Sequence, residues 1–304
     1  MSDSAMRVMV TGVTGQVGRA ITEVLRPNRP IIAVGRAELD LAQPDRIALA
    51  LDRFAPELII NPAAYTAVDR AEDEKELAFR VNAEGPTAIA RWAADRGVPL
   101  IHFSTDYVFD GTGARPWRET DPANPLSVYG ASKYAGENAV RSAGGPHLII
   151  RTSWVYAAHG ANFLRTIVRL AKERKELRIV ADQVGAPTSA RLIADAVAGI
   201  IGADRTTLAE RFAAVQGVVN VAASGETSWY GFAAAIIGGL NARGVALAVE
   251  SVVQIATNDY PTKAKRPANS RLDLTQLRQA FGIEPSKWDL ALSIELDQLA
   301  TKMA

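Results

Sequence analysis

Short apolar runs alternate with amphipathic stretches through the first half of the chain. Arg7–Thr11, Pro30–Val34, Leu58–Asn61, Leu100–Phe103 and Leu148–Arg151 have the length and apolar content of strands buried on both faces. Between them, Gln16–Leu25, Lys75–Arg96 and Val128–Arg141 carry helical periodicity. In the second of these, Leu77, Val81, Ile89 and Trp92 fall at inward positions. A further helix starts near Pro44. Strands alternating with helices predict an α/β fold with a doubly wound parallel sheet and right-handed crossovers. After Thr152 the pattern changes. Helical stretches at Asn162–Glu173, Ala190–Ile201 and Trp229–Leu240 alternate with short strand-like pieces, and Asp259–Asp273 is a loop rich in Pro, Asn and Arg. The expectation is a first domain over residues 1–151 and a smaller lobe over 152–304 that closes over it. No low-complexity linker separates the two, so the chain weaves between them.

Composition narrows the chemistry. The 304 residues carry a formal net charge of +1, with acids and bases interspersed, which argues against a nucleic-acid binder. The one dense charge run, Lys172–Glu176, mixes signs and reads as a solvated helix end. There is no cysteine, so disulfides, thiolate catalysis and Cys-type zinc sites are excluded. Met1–Met6 lacks the apolar region of a secretory leader, and no apolar run is long enough to cross a membrane. A soluble cytoplasmic protein is expected. His102, His147 and His159 show no metal-ligand spacing, and His102, inside a predicted strand, reads as a satisfied core residue.

Two motifs carry chemistry. Gly12-x-x-Gly15-x-x-Gly18 follows the first strand and opens the first helix. Glycines there allow a tight turn, approach of backbone to a pyrophosphate, and close helix–strand packing, as in Rossmann-type dinucleotide sites. Arg36, at the end of the second strand with no acid beside it, favours a 2′-phosphate over a free ribose hydroxyl. Asp40 either accepts the adenine amino group or caps the helix near Pro44. The second motif is Tyr129-Gly130-Ala131-Ser132-Lys133, whose tyrosine and lysine share a helix face. An ammonium there lowers the phenol's pKa and holds a cofactor ribose, while the Thr105 hydroxyl, after the fourth strand, polarises a carbonyl. Together the motifs read as nicotinamide-dependent carbonyl reduction. Trp117 and the loop Gly111–Pro125 are expected at the site's edge, as packed loop or lid.

The motifs, in order, resemble those of the extended short-chain dehydrogenases/reductases, and within them the dTDP-4-dehydrorhamnose reductase family. The resemblance spans nearly the whole chain. It rests on Gly12–Gly18, Asn61–Asp69 (NPAAYTAVD), Ser104–Gly111 (STDYVFDG), Tyr129–Lys133, Arg151–Tyr156 (RTSWVY), Asp182–Thr188 (DQVGAPT) and Arg266–Asp273 (RPANSRLD). It implies that Tyr129 is the proton donor, Lys133 its partner and ribose ligand, and Thr105 the third catalytic member. It places Gln16 and Val17, with Gly12, Gly15 and Gly18, at the pyrophosphate. Asp40 and Leu41 would meet the adenosine, and Ala63, Ala64 and Tyr65 would line the cofactor cleft. Val68, Asp106, Tyr107 and Trp154 would border the sugar, and Arg266 would meet the substrate diphosphate. The implied reaction is NADPH-dependent reduction, with NADH possible, of the C4 keto group of dTDP-4-dehydro-L-rhamnose.

Departures from the pattern also matter. Where magnesium-bridged dimers of the family carry two glutamates, this chain has Ala20 and Arg191. No metal is therefore expected, and the chain is expected to be a monomer or weak homodimer. Two other functions fit the outer motifs: a non-catalytic regulatory subunit of the methionine adenosyltransferase type, and another nucleotide-sugar reductase or epimerase. The intact Tyr129/Lys133 pair favours an enzyme; Trp154 and the stretch around Arg266 discriminate among sugars.

Overall fold

The structure, a computed structural model, describes residues 6–202 and 207–303. Residues 1–5, on which the expectation of no leader rested, lie outside them. The first half runs β1 (Val8–Thr11), α1 (Gln16–Leu25), β2 (Ile31–Val34), α2 (Pro44–Phe54), β3 (Leu58–Asn61), α3 (Val68–Ala71), α4 (Lys75–Phe79), α5 (Gly85–Asp95), β4 (Leu100–Thr105), α6 (Val128–Ser142) and β5 (His147–Thr152). Then follow β6 (Val155–Tyr156), α7 (Phe163–Glu173), β7 (Glu176–Val180), β8 (Val184–Gly185), β9 (Thr188–Ser189), α8 (Ala190–Ile201), α9 (Leu208–Ala214) and β10 (Val218–Asn220). β11 (Thr227–Ser228), α10 (Trp229–Asn241), β12 (Ser251–Ile255), α11 (Thr275–Phe281) and α12 (Trp288–Met303) complete the chain.

Six parallel strands form the main sheet in the order β10-β5-β4-β3-β1-β2. Strands β1, β3 and β4 are buried on both sides, which is why they read as unbroken apolar runs, while the edge strand β2 leaves Ala33 exposed. Val8 and Val10 pack with α1 and α8, while Met9 and Ile59 pack with α2 and α5. Each such aliphatic side chain contributes about 1.5–3 kcal/mol on burial. From β1 the chain passes to β2 on one side and later to β3 on the other. The loops that follow β1 and β3 therefore part, and a crevice opens at the carboxyl ends of these strands. The edge strand β10 comes from the second half of the chain and pairs with β5, Val218 opposite Ile149. A separate core, around Leu164, Phe232, Ile236 and Leu296, joins α7, α10 and α12. Lys172–Glu176 is exposed across the end of α7, as its mixed charges predict.

The helix predicted over Lys75–Arg96 is broken by a π-helical turn at Arg80–Glu84. Pro86 explains the break, because it has no N–H to give the carbonyl of Asn82. The freed carbonyl faces α6 at Gly136, where an added Cβ would lie 2.1 Å from it. Ala78 and Asn82 become the buried positions, while Leu77 lines the crevice and Val81 both lines it and packs partly against the core.

A second glycine brings α6 in at its other end. A Cβ on Gly130 would lie 2.2 Å from the Tyr107 carbonyl oxygen. With both contacts made, α6 buries Lys133 and Glu137 one turn apart. Glu137 accepts two hydrogen bonds from Arg151, at 2.8 Å from Nε and 2.7 Å from Nη2, and Arg151 is itself 2 % exposed. Burial pushes the Glu137 carboxyl up, but the bonds and charge of Arg151 outweigh it and hold the group below its ordinary value. Burial draws the Lys133 ammonium down to about 8, with Glu137 working against the shift.

Arg151→Met takes from the buried Glu137 carboxylate its two shortest bonds, leaving Arg141 at 3.2 Å, and is expected to cost about 3–5 kcal/mol of unfolding free energy in urea titrations. A loss below about 1 kcal/mol contradicts the buried pair. Lys133 gives a pH signature. Between its folded pKa of about 8 and its ordinary 10.5, the unfolded chain binds a proton that the folded chain lacks, so this group makes stability rise with pH. Measured at about pH 7.5 and about pH 10, wild type is expected to gain stability relative to Lys133→Met. A pH-independent difference between the two proteins contradicts it.

Candidate active site

The crevice at the carboxyl ends of β1 and β3 is the mouth of a cleft of about 840 Å³. Its first wall is the turn after β1. Gly12 adopts φ +58°, and a Cβ on it would lie 2.9 Å from the Ala63 Cα. A Cβ on Gly18 would lie 2.3 Å from the Gly12 carbonyl oxygen. Only glycines let α1 and the loop after β3 close on this turn. Gly15 caps α1 without a side-chain bond, so the first amides of α1 are left for a ligand, the arrangement that receives phosphate. Gln16 is held from across the cleft, its Oε1 accepting from Asn162 Nδ2 at 2.7 Å.

At the β2 end, Arg36 Nε lies 3.4 Å from Asp40 Oδ2, and the arginine side chain is 77 % exposed. Asp40 does not cap α2. Its Oδ1 accepts from the Ala42 N–H at 2.9 Å, and the cap position belongs to Gln43, which makes no side-chain cap bond. The Asx turn forms because an aspartate bonds its own backbone two residues on before the chain reaches Pro44. These bonds and Arg36 outweigh partial burial and keep the Asp40 carboxyl below its ordinary pKa.

The loop after β3 is fixed by Asn82. Asn82 Oδ1 accepts from the Tyr65 N–H at 2.8 Å, and its Nδ2 donates to the Tyr65 carbonyl at 3.0 Å and to Ser132 Oγ at 3.0 Å. One buried amide thus ties the loop Ala63–Tyr65 to the Tyr129–Lys133 motif. The Tyr65 hydroxyl donates to Glu74 at 2.5 Å.

At the end of β4, Thr105 Oγ1 donates to Asp106 Oδ1 at 3.1 Å and accepts from the Tyr107 N–H at 3.2 Å. The Tyr107 and Tyr129 rings meet edge-on, with centroids 5.5 Å apart. Burial pushes Asp106 up to about 6 and Tyr107 up to about 12. It also pushes the Tyr129 phenol up, although a hydrogen bond with Thr105 pulls the other way. Burial dominates, and Tyr129 is held in its protonated form at neutral pH.

Every site residue singled out from the sequence lines this cleft except Arg266. Arg266 Nη2 instead pairs with Asp69 Oδ2 at 2.7 Å, beside Tyr107. Trp117 and its loop do not line the cleft. The indole stacks on Phe109 at 4.7 Å and donates to the Asn269 carbonyl at 3.0 Å, so the loop packs on the C-terminal segment. His102 is only half satisfied. Its Nδ1 meets Asn61 Nδ2 at 3.1 Å, while its buried Nε2 has no hydrogen-bond partner. Burial, then the charge of Lys133, holds its pKa well below the ordinary value. Ala20 is buried between α1 and α8, and Arg191 pairs with Asp195 at 2.9 Å on the outer face of α8. Among the described residues no cluster of three His, Asp or Glu side chains could hold a metal ion, and no helix is long and apolar enough to cross a membrane.

Three residues of this neighbourhood escaped sequence reading: Asn82, Asn162 and Trp229. Asn82 was detectable as a polar residue on the inward stripe of a helix. Asn162 was detectable as an N-cap, which it is, accepting from the Arg165 N–H at 3.0 Å. Trp229 stacks on Trp154 and gave no sign of it beyond its place before an apolar helix.

Comparison with known proteins agrees with this geometry. Residues 6–301 match the RmlD substrate binding domain family. The dTDP-4-dehydrorhamnose reductase of Burkholderia thailandensis is 46% identical over 293 residues, which cover 95% of this chain and 97% of the relative. That of Escherichia coli K12 is 42% identical over 303 residues, 98% of this chain and 100% of the relative. The dTDP-4-dehydrorhamnose reductase of Bacillus anthracis, solved in complex with NADP, superposes with a TM-score of 0.87 at 32% identity, covering 97% of this chain and 99% of that one. A glycine turn at the topological switch point, a Tyr–Lys pair on the next wall, and a family match across nearly the whole chain converge: the chain belongs to the RmlD family, that of the dTDP-4-dehydrorhamnose reductases.

Proposed function

We propose that this protein reduces the C4 keto group of dTDP-4-dehydro-L-rhamnose to give dTDP-L-rhamnose, using NADPH. The observation that carries the proposal is one cleft holding both the glycine turn and the set Thr105, Tyr129 and Lys133. That cleft fits a dinucleotide: the space where Cβ atoms of Gly12 and Gly18 would stand is already taken by backbone, and the first residues of α1, which have no side-chain cap, line the cleft. Gly15, Gln16, Val17 and Gly18 hold the pyrophosphate, and Leu41, Ala63, Ala64 and Tyr65 line the rest of the cofactor's path. Arg36, steadied by Asp40, meets the 2′-phosphate and makes NADPH preferred over NADH. Bound NADPH supplies the hydride.

The remaining chemistry belongs to the chain. Tyr129, kept protonated by burial, gives its proton to the carbonyl oxygen. Thr105 holds the same oxygen through its hydroxyl. Lys133, brought into buried surroundings by α6, binds the ribose and steadies the phenolate that Tyr129 becomes. Val68, Asp106, Tyr107 and Trp154 border the sugar. Arg266 reaches the substrate diphosphate by exchanging its Asp69 carboxylate for phosphate oxygens. Residues 1–151 form the cofactor domain and 152–304 the substrate lobe, with β10 as the return crossing. The reaction runs in the cytoplasm, without a metal ion, in a monomer or weak homodimer, because Ala20 is buried and Arg191 is cationic where bridging glutamates would be needed. A regulatory, non-catalytic role is disfavoured by the intact Tyr129/Lys133 pair.

The test is oxidation of NADPH or NADH by dTDP-4-dehydro-L-rhamnose in the presence of a chelator, with sedimentation run alongside. Wild type is expected to turn over, to prefer NADPH, and to need no magnesium for activity or assembly. Tyr129→Phe is expected to lower kcat by about 10²–10⁴ while NADPH affinity survives. Arg36→Ala is expected to raise KM for NADPH more than for NADH. No turnover by wild type, or most turnover retained in Tyr129→Phe, overturns the proposal; equal effects of Arg36→Ala on both cofactors overturn the 2′-phosphate assignment. Activity or a dimer lost on chelation and restored by magnesium overturns the metal-free reading.

A further inference from the structure

Trp154 occupies an unfavourable backbone conformation. Its φ is +49°, in the left-handed region that bulky residues avoid at a cost of about 1–3 kcal/mol. Neighbouring groups must therefore hold it there. Its carbonyl accepts from the Thr188 N–H at 3.1 Å. Its indole sits against Gly185, where an added Cβ would lie 2.6 Å from the ring. It also stacks on Trp229, with centroids 3.6 Å apart and planes 11° from parallel.

Trp154 lines the cleft and Trp229 does not. Trp229 is nonetheless the better anchored of the two. Its indole N–H donates to Gln183 Oε1 at 3.1 Å, and the ring centroid of Phe163 lies 4.6 Å from its own. Gln183 is 5 % exposed, and its Nε2 donates to Thr257 Oγ1 at 3.1 Å. Thr257 in turn donates from Oγ1 to Asp182 at 2.6 Å. The chain of contacts runs from an exposed loop, through one buried amide, to the indole that backs Trp154. Nothing in it touches the cofactor side of the cleft.

We infer that Trp229 is a positioning residue for substrate recognition: stacked on Trp154 and anchored by Gln183, it holds the Trp154 indole at the sugar end of the cleft and so sets affinity for the sugar nucleotide, not the rate of reduction. The inference rests on the reading of this cleft as a keto-sugar reductase site. Phenylalanine at position 229 keeps a planar stacking partner; leucine does not.

The experiment compares wild type, Trp229→Phe, Trp229→Leu and Gln183→Leu by steady-state turnover with the keto sugar nucleotide, NADPH titration, and circular dichroism. The stacked indoles are expected to give an exciton couplet that disappears in Trp229→Leu and equally in Trp154→Phe. Trp229→Leu is expected to raise the sugar KM about tenfold, the scale of one lost aromatic stack, with kcat and NADPH affinity within about twofold of wild type. Trp229→Phe is expected to recover most of that KM. Gln183→Leu, which leaves the ring but frees its N–H, is expected to raise KM by about threefold and serves as the test should Trp229→Leu not fold. An unmoved sugar KM in Trp229→Leu, or in Gln183→Leu if that variant alone folds, overturns the inference. So does a parallel loss of kcat and NADPH affinity, which marks a merely structural tryptophan. Failure of wild type to turn over the sugar overturns the underlying reading, and the inference with it.

Discussion

Helix α6 lies on two carbonyl groups with no side chain between. Gly130 meets the Tyr107 carbonyl and Gly136 meets that of Asn82, each so closely that a Cβ would overlap the oxygen. The rest of the site depends on this approach. It brings the phenol of Tyr129 beside Thr105, and it carries Lys133 below the surface, where burial lowers its pKa. It also forces Glu137 into the interior, where Arg151 must meet it. Asn82 completes the contact from the other side: the π-helical turn frees its carbonyl for Gly136, and its side chain fastens both Tyr65 and Ser132. The approach of α6 thus places both the Tyr129/Lys133 pair and the loop Ala63–Tyr65 at one cleft.

Unfavourable terms collect around the same cleft. A lysine is desolvated, a histidine leaves Nε2 without a partner, Asp106 is pushed up to about 6, and Trp154 is held at positive φ. These sit between well-packed apolar cores on both faces of the sheet and a third that joins α7, α10 and α12. Strain and buried charge of this kind persist only where surrounding packing over-determines them. That they cluster where β1, β3, β4 and β5 end is what the topology of an open parallel sheet leads one to expect of a binding site.

Much of this was legible in the sequence. Strands such as Leu58–Asn61 are continuous apolar runs because both faces are buried, and α1 and α8 begin and end where the helical pattern puts them. The glycine turn and the Tyr129/Lys133 spacing are local, so they survive translation from sequence to structure unchanged. What could not be read depends on partners distant in the chain. The π-helical turn needs Pro86 and the approach of α6 together. The role of Asn82 needs Tyr65 and Ser132 in place, and the stack of Trp154 on Trp229 joins residues whose contact only the folded lobe decides. Of the two readings of Asp40 the helix cap fails for the opposite reason, since a two-residue Asx turn competes locally with a cap and won. The Asp69 counter-ion of Arg266 could not be read from the sequence, and His102 was misjudged as fully satisfied, because a counter-ion and a missing partner are features of three dimensions.

The most direct test of the account is turnover by Gly136→Ala, measured well below its melting temperature and expressed per folded enzyme. One methyl group at this position cannot coexist with the Asn82 carbonyl, so α6 must withdraw. The account predicts a folded protein with a lowered denaturation midpoint and turnover reduced at least about a hundredfold, the scale of misplacing a catalytic group by an ångström. Wild-type turnover in a folded Gly136→Ala protein would show that the approach of α6 does not set the site.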